Sequence, residues 1–349
     1  MKYFVIVVFL LLLNTMNFAQ APAHVAWQSQ AGSLNSSLRG CSAVDAQVAW
    51  ISGTNGKYAR TLDGGKTWQA DSVDGALDFR DVQAFDTNTA YLMSAGPGTR
   101  SRIYKTVNGG KAWTLQYTLQ DSAGFLDGFA FWDESNGVVF GDPIAGRIFI
   151  LTTNDTGKTW QRLGAENAPQ VVEGEYAFAA SGTSIVAQSK SRVWIGTGGK
   201  AARVFHSADR GKTWSVASTP IVSGASSAGI FSLAFRDEQH GIAVGGDYQK
   251  ENEVLANVAR TEDGGKTWIL LPNQTVPYRS CVAYVPHEGK FLLVAVGPSG
   301  SNYSLDEGLT WTRISEVGYH TMSTGGSIAS IWAAGAEGRV AKLEFKLAE

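Results

Sequence analysis

Cysteine, charge and long apolar runs are all scarce in this chain, and each scarcity removes a class of protein. Of 349 residues only two are cysteines, Cys41 and Cys281, so no disulfide framework staples the fold. Charged residues make up 17% and the formal net charge is −2. That excludes the broad basic surface nucleic acid requires, so no nucleic-acid partner is expected. After the first 19 residues no apolar run approaches the roughly 20 residues a membrane span needs. There is no GxSxG elbow, no HExxH and no metal-spaced Cys/His cluster. The five histidines, at 24, 206, 240, 287 and 320, are scattered. A Rossmann fingerprint is missing too, so neither cofactor nor metal is expected.

The chain is instead rich in glycine (40 residues) and tryptophan (11), a composition suited to many short strands joined by tight turns. Its first 19 residues stand apart. Lys2 precedes the unbroken apolar run 4–13, and a small residue, Ala19, offers a cleavage point before Gln20. This reads as a secretory signal peptide, so the mature protein is expected to be exported, periplasmic or secreted.

One phrase then recurs six times. Residues 61–68 read TLDGGKTW, 106–113 TVNGGKAW, 153–160 TNDTGKTW, 207–214 SADRGKTW, 261–268 TEDGGKTW and 304–311 SLDEGLTW. A repeat of roughly 40–50 residues with strand-like flanks predicts propeller blades. The phrase reads as the hairpin between third and fourth strands. Its acidic position (Asp63, Asp155, Asp209, Asp263, Asp306, with Asn108 in the second copy) accepts bonds from backbone N–H groups across the turn. Its glycine supplies a positive φ, and its tryptophan buries a large face against the neighbouring sheet. Asn108 and Ala112 depart from the pattern and predict a weaker second turn.

Six boxes still predict seven blades. Residues 330–345 match 48–62 almost position by position but end without a box. The missing outer strand is supplied from the other end: residues 24–30, HVAWQSQ, resemble the post-box segments, with Trp27 in the box-tryptophan place. The expectation is therefore an all-β, seven-bladed propeller of four-stranded antiparallel blades over residues 20–349. The N-terminal strand closes the ring in blade 7, which removes a free edge. Cys41 and Cys281 fall on innermost strands of blades 1 and 6 with a blade between them, which predicts two buried free thiols.

The boxes are the Asp-box, or bacterial neuraminidase repeat, shared by sialidases, some glucan hydrolases, sortilin-type receptors and photosystem II assembly factors. The fuller blade phrases, residues 79–113 and 231–247, resemble the photosystem II stability/assembly factor family over essentially the whole mature chain. That resemblance implies a seven-bladed, non-catalytic binding or assembly module. The partner would be another exported or membrane protein, or a carbohydrate, and a monomer is expected.

Candidate contact residues lie on the face opposite the boxes, where the long loops 164–176, 218–229 and 247–257 fall. Arg39, Arg80 and Arg279 occupy equivalent starts of innermost strands. Asp81, Asp127, Glu175 and His320 sit at or next to that level, and Asp142 and Asp247 end second strands. Together they predict a polar channel mouth able to hold an anion, a sugar or a peptide carboxylate. The alternative is a glycoside hydrolase drawing a carboxylate pair from Asp142, Asp247, Asp127 and Glu175. Against it, the Arg-Ile-Pro motif that sialidases carry before the first box is missing, and one propeller offers no inter-propeller cleft.

Overall fold

A computed structural model describes residues 24–30, 34–272, 275–287 and 289–346; the signal peptide expected at 1–19 lies outside them. Seven antiparallel sheets follow one another along the chain. Blade 1 comprises Leu38–Ala43, Ala49–Gly53, Lys57–Thr61 and Gln69–Ser72. Blade 2 comprises Phe79–Ala84, Ala90–Ser94, Arg102–Thr106 and Thr114–Thr118. Blade 3 comprises Leu126–Asp133, Asn136–Ile144, Arg147–Thr153 and Gln161–Arg162. Blade 4 comprises Ile185–Gln188, Arg192–Gly196, Arg203–Ser207 and Ser215–Ser218. Blade 5 comprises Ala228–Phe235, Gly241–Asp247, Val258–Thr261 and Ile269–Leu270. Blade 6 comprises Cys281–His287, Lys290–Gly297, Gly300–Ser304 and Thr312–Ser315.

Blade 7 takes three strands from the C-terminal end, Thr321–Thr324, Ile331–Ala334 and Val340–Lys346, and its outer strand, His24–Gln30, from the other end. The last two pair antiparallel over seven residues, with Trp27 opposite Leu343. Trp27 packs on Tyr319 with ring centroids 5.1 Å apart. Its indole N–H donates to Ser301 Oγ of blade 6 at 2.8 Å, so this strand ties blade 7 to its neighbour as well.

The first strands of consecutive blades touch in a closed ring around the central channel. Alternating side chains on each pleated face then pack against the next blade. Seven apolar clusters result, one between each pair of neighbours. Between blades 1 and 2, for example, Trp50, Tyr58, Phe79, Val82, Leu92 and Tyr104 are buried together. The box tryptophans join these seams: Trp68 meets Trp332 edge-on, and Trp113 meets Trp50 edge-on.

The turn that carries each box has one repeated bond pattern. In the first copy Asp63 Oδ1 accepts the Thr67 N–H at 2.9 Å and the Thr61 hydroxyl at 2.9 Å, and Oδ2 accepts the Thr67 hydroxyl at 2.6 Å. Hydrogen bonding to these threonines holds the Asp63 carboxyl down at about 2. Asp155, Asp209, Asp263 and Asp306 repeat the geometry. Asn108 keeps the bonds to the Ala112 N–H and the Thr106 hydroxyl, both at 3.0 Å, but alanine at 112 offers no second hydroxyl. Gly65, at φ +88°, shows why the turn needs glycine: a Cβ there would lie 2.9 Å from the Trp332 ring.

Both cysteines are free; Cys281 is buried as expected, whereas Cys41 is only partly buried. Among the described residues no helix is long and apolar enough to cross a membrane.

Candidate functional site

A cavity of about 410 Å³ opens at the starts of the innermost strands, on the face away from the boxes, and all seven blades contribute to its wall. Blades 1, 2 and 7 bring Arg39, Arg80 and His320; blade 3 brings Asp127 and Asp142. Blade 5 adds Phe231 and blade 6 adds Tyr278, while Tyr248 and Glu251 come from the loop after Asp247.

Blade 4 departs from the other six, and the departure makes the floor. Its innermost strand begins only at Ile185. Before it, Glu175–Tyr176 pairs with Gly198–Gly199, and the latter pairs with Gly229, so two short strands extend the inner edge of blade 5. Residues 177–184 then cross the channel. Arg39 Nη1 donates to Ala180 O at 3.4 Å and Arg80 Nη1 to Ala179 O at 3.3 Å. Ser181 Oγ donates to Ser280 O at 2.7 Å, and the Thr321 hydroxyl donates to Ser181 O at 2.9 Å. Gly182 sits at φ +74°, where a Cβ would lie 2.3 Å from Asp81 Oδ1; only glycine passes so close to the carboxyl. The crossing separates the cavity from a second one of about 360 Å³ on the box side, lined by Asp81, Gln83 and Thr183 among others.

The electrostatics of the upper cavity are unusual. The Arg39 guanidinium is half-buried and, among the described residues, forms no ion pair; burial and then the Arg80 charge pull its pKa down. Arg80 pairs with Asp78 at 2.8 Å. Burial, with Arg39, Arg339 and Arg80 behind it, pushes His320 down to about 4, so the imidazole is neutral at pH 7. Asp127 is buried and its Oδ2 has no hydrogen-bond partner. Burial first, then the neighbouring Asp142 carboxyl, pushes its pKa well above the usual range, against the Arg80 charge. Asp142 accepts the Ala177 N–H at 3.1 Å and is likewise raised by burial.

The opposite wall is aromatic. Phe178 stacks on Phe231 with centroids 4.1 Å apart and planes at 15°, and Phe231 meets Tyr278 edge-on at 4.8 Å. With Ala180 these rings form a small apolar cluster of their own, separate from the inter-blade seams. The cavity therefore offers cationic donors, buried carboxyl groups with raised pKa values and a ring face within one enclosure, a combination suited to a ligand with an anionic end and an apolar body.

Five of the residues singled out from the sequence meet here: Arg39, Arg80, Asp127, Asp142 and His320. The others do not line the cavity. Arg279 is 1% exposed, and its guanidinium is consumed by Asn302 Oδ1, Tyr278 O and Ser299 Oγ. It anchors the start of blade 6 internally instead of facing a ligand. Glu175 is also buried; Arg203, the Thr197 hydroxyl and the Val172 N–H occupy its carboxylate. Asp247 caps its own loop through the Gln249 N–H at 2.9 Å. Asp81 faces the box-side cavity, with both oxygens taken by the Val82 and Phe129 N–H groups. Sequence reasoning missed the aromatic wall and the crossing segment. The only signal for either was the long stretch between the third box and the short strand of blade 4.

These features define a seven-bladed β-propeller with a blind cavity on its long-loop face. No family model matches the chain, and no curated protein matches it. Solved structures do. A structure of YCF48 bound to a D1 peptide superposes with a TM-score of 0.61 at 15% identity, over 95% of this chain and 99% of that one. YCF48 from Cyanidioschyzon merolae gives 0.60 at 17% identity, over 92% and 99%. The WD40 propeller domain of Doa1 gives 0.58 at 12%, over 92% and 97%. At these identities the likeness is one of fold.

Proposed function

We propose that this chain is an exported, non-catalytic binding or assembly propeller that holds a segment of another protein in the cavity on its long-loop face. The observation that carries this reading is the make-up of the wall: a half-buried arginine that, among the described residues, forms no ion pair lines the same cavity as a stacked aromatic panel. A guanidinium in that setting gains most from a ligand oxyanion, and the rings would bury an apolar side chain. The likeness to YCF48, solved with a D1 peptide, supports a protein ligand. It agrees with the resemblance of the blade phrases to photosystem II assembly factors. The hydrolase alternative is poorly served, because Asp127 and Asp142 are both pushed toward the neutral acid. Glycoside hydrolysis needs one carboxylate ionised as nucleophile or base.

A photo-crosslinking residue at position 248, on the cavity rim, tests this in the intact organism. It should capture one discrete protein, and Arg80→Ala should abolish that product. The same residue at position 212, on the box side, should not capture it. Turnover of an aryl glycoside that disappears in Asp142→Asn would sink the reading.

A further inference from the structure

Within that cavity one atom is left over. Asp127 is 2% exposed, lines the wall, and leaves Oδ2 without a hydrogen-bond partner. A buried oxygen in that state costs free energy unless something meets it. Arg80, whose charge acts on Asp127 from the adjacent blade, is already held at 2.8 Å by Asp78, two residues before it. The neighbouring acidic side chain, Asp142, spends one oxygen on the Ala177 N–H. Two carboxyl groups thus share one poorly solvated corner of a cavity that also holds Arg39, which among the described residues forms no ion pair.

We propose that Asp127 is a specificity-determining residue of this cavity, carrying a proton on Oδ2 that it donates to an oxygen of an anionic, ring-bearing ligand. The inference rests on the binding reading above and adds to it a chemical selection. An ionised Asp127 would repel the group that Arg39 and Arg80 attract, whereas the acid form gives that group a third donor. Capture is then tied to the proton. The other groups facing this corner do not mimic the effect. His320 titrates at about 4, burial keeps the Tyr278 phenol neutral, and the two guanidiniums stay charged. Glu251 stands at the rim, and Asp142, also raised by burial, spends an oxygen on the Ala177 N–H, so the pH slope is assigned to Asp127 through Asp127→Asn. The ligand class is a carboxylate attached to an aromatic body, of a size one cavity of about 410 Å³ accepts.

The probe is N-acetyl-phenylalaninate, with its amide, which lacks the carboxylate, as the control. Binding to the full mature chain is followed by calorimetry between about pH 5 and pH 8.5. The wild type should lose about tenfold or more in affinity across that window, the worth of one charge-assisted hydrogen bond. Asp127→Asn is isosteric and donates through its amide at every pH, so it should hold its low-pH affinity throughout. In parallel, the side-chain carbon resonance of Asp127, identified by its loss in Asp127→Asn, should titrate well above the ordinary aspartate range. A wild-type pH slope unchanged in Asp127→Asn, or a resonance that titrates near pH 4, overturns the inference and leaves the binding reading intact. If neither protein binds the probe at any pH, the binding reading falls and the inference with it.

Discussion

Replacing Trp27 by alanine should weaken the whole ring, although the residue lies on an outer strand a few residues from the start of the described chain. The ring of Trp27 is half-buried against Tyr319 and the seam between blades 6 and 7. A fully buried aromatic truncated to alanine costs about 3–5 kcal/mol, so half-burial is worth about 2. The indole bond to Ser301 Oγ adds about 1 kcal/mol, because Ser301 is fully buried and would be left unpaired. The sum is about 3 kcal/mol. A chain of 349 residues unfolds with an entropy of about 0.7 kcal/mol/K. The expected fall in Tm by calorimetry is therefore about 4 °C. Trp27→Phe keeps most of the packing and should lose only about 1–2 °C. Deleting residues 24–30 removes seven pairings and exposes the edge of Val340–Lys346, and should lower Tm far more. Trp27→Ala melting within a degree of the wild type would refute the claim that this strand fastens the ring.

Glu175→Gln should destabilise by about 3 kcal/mol in denaturant titrations, since it breaks an ion pair whose carboxylate is buried and strips the partly exposed Arg203 of its anion. Arg279→Ala should lower Tm, whereas Arg80→Ala at the cavity should leave it nearly unchanged. Asp81 has its pKa pushed up to about 7 by burial, so the native state holds a proton the unfolded chain releases near 4. Its contribution to stability is then full below about pH 4 and lost as pH rises to about 7, at most about 4 kcal/mol. Asp81→Asn should flatten that part of the stability profile. Restoring the box with Asn108→Asp plus Ala112→Thr adds the missing hydroxyl bond and should stabilise by about 0.5–1 kcal/mol, read from the urea midpoint.

The ring was legible because its determinants are local and repeated. The box fixes a turn through contacts within eight residues, and the apolar rhythm before it fixes three strands. Residues 24–30 could be placed because Trp27 sits where every box tryptophan sits. The cavity was legible only by level. Register along the innermost strands marked Arg39, Arg80, Asp127 and His320 as neighbours. Register could not say which way each side chain would be spent. Arg279 holds the same strand position as Arg39 and Arg80, yet Asn302, two strands further out in blade 6, draws its guanidinium inward. Glu175 shows the same limit, because its partner Arg203 lies 28 residues on, across a strand pair peculiar to blade 4. The crossing at 177–184 carries no periodic pattern, being held by single hydroxyl and carbonyl bonds to five different blades.

The central claim is that the long-loop cavity, and not the boxes, is the working surface. Calorimetric titration of N-acetyl-phenylalaninate at about pH 5 tests it most directly, with each variant's melting temperature checked alongside. Arg39→Ala should weaken binding by about tenfold, while Asp263→Ala at a box turn should leave affinity at the wild-type value. Equal affinity in the wild type and Arg39→Ala, or a loss confined to Asp263→Ala, would contradict the account.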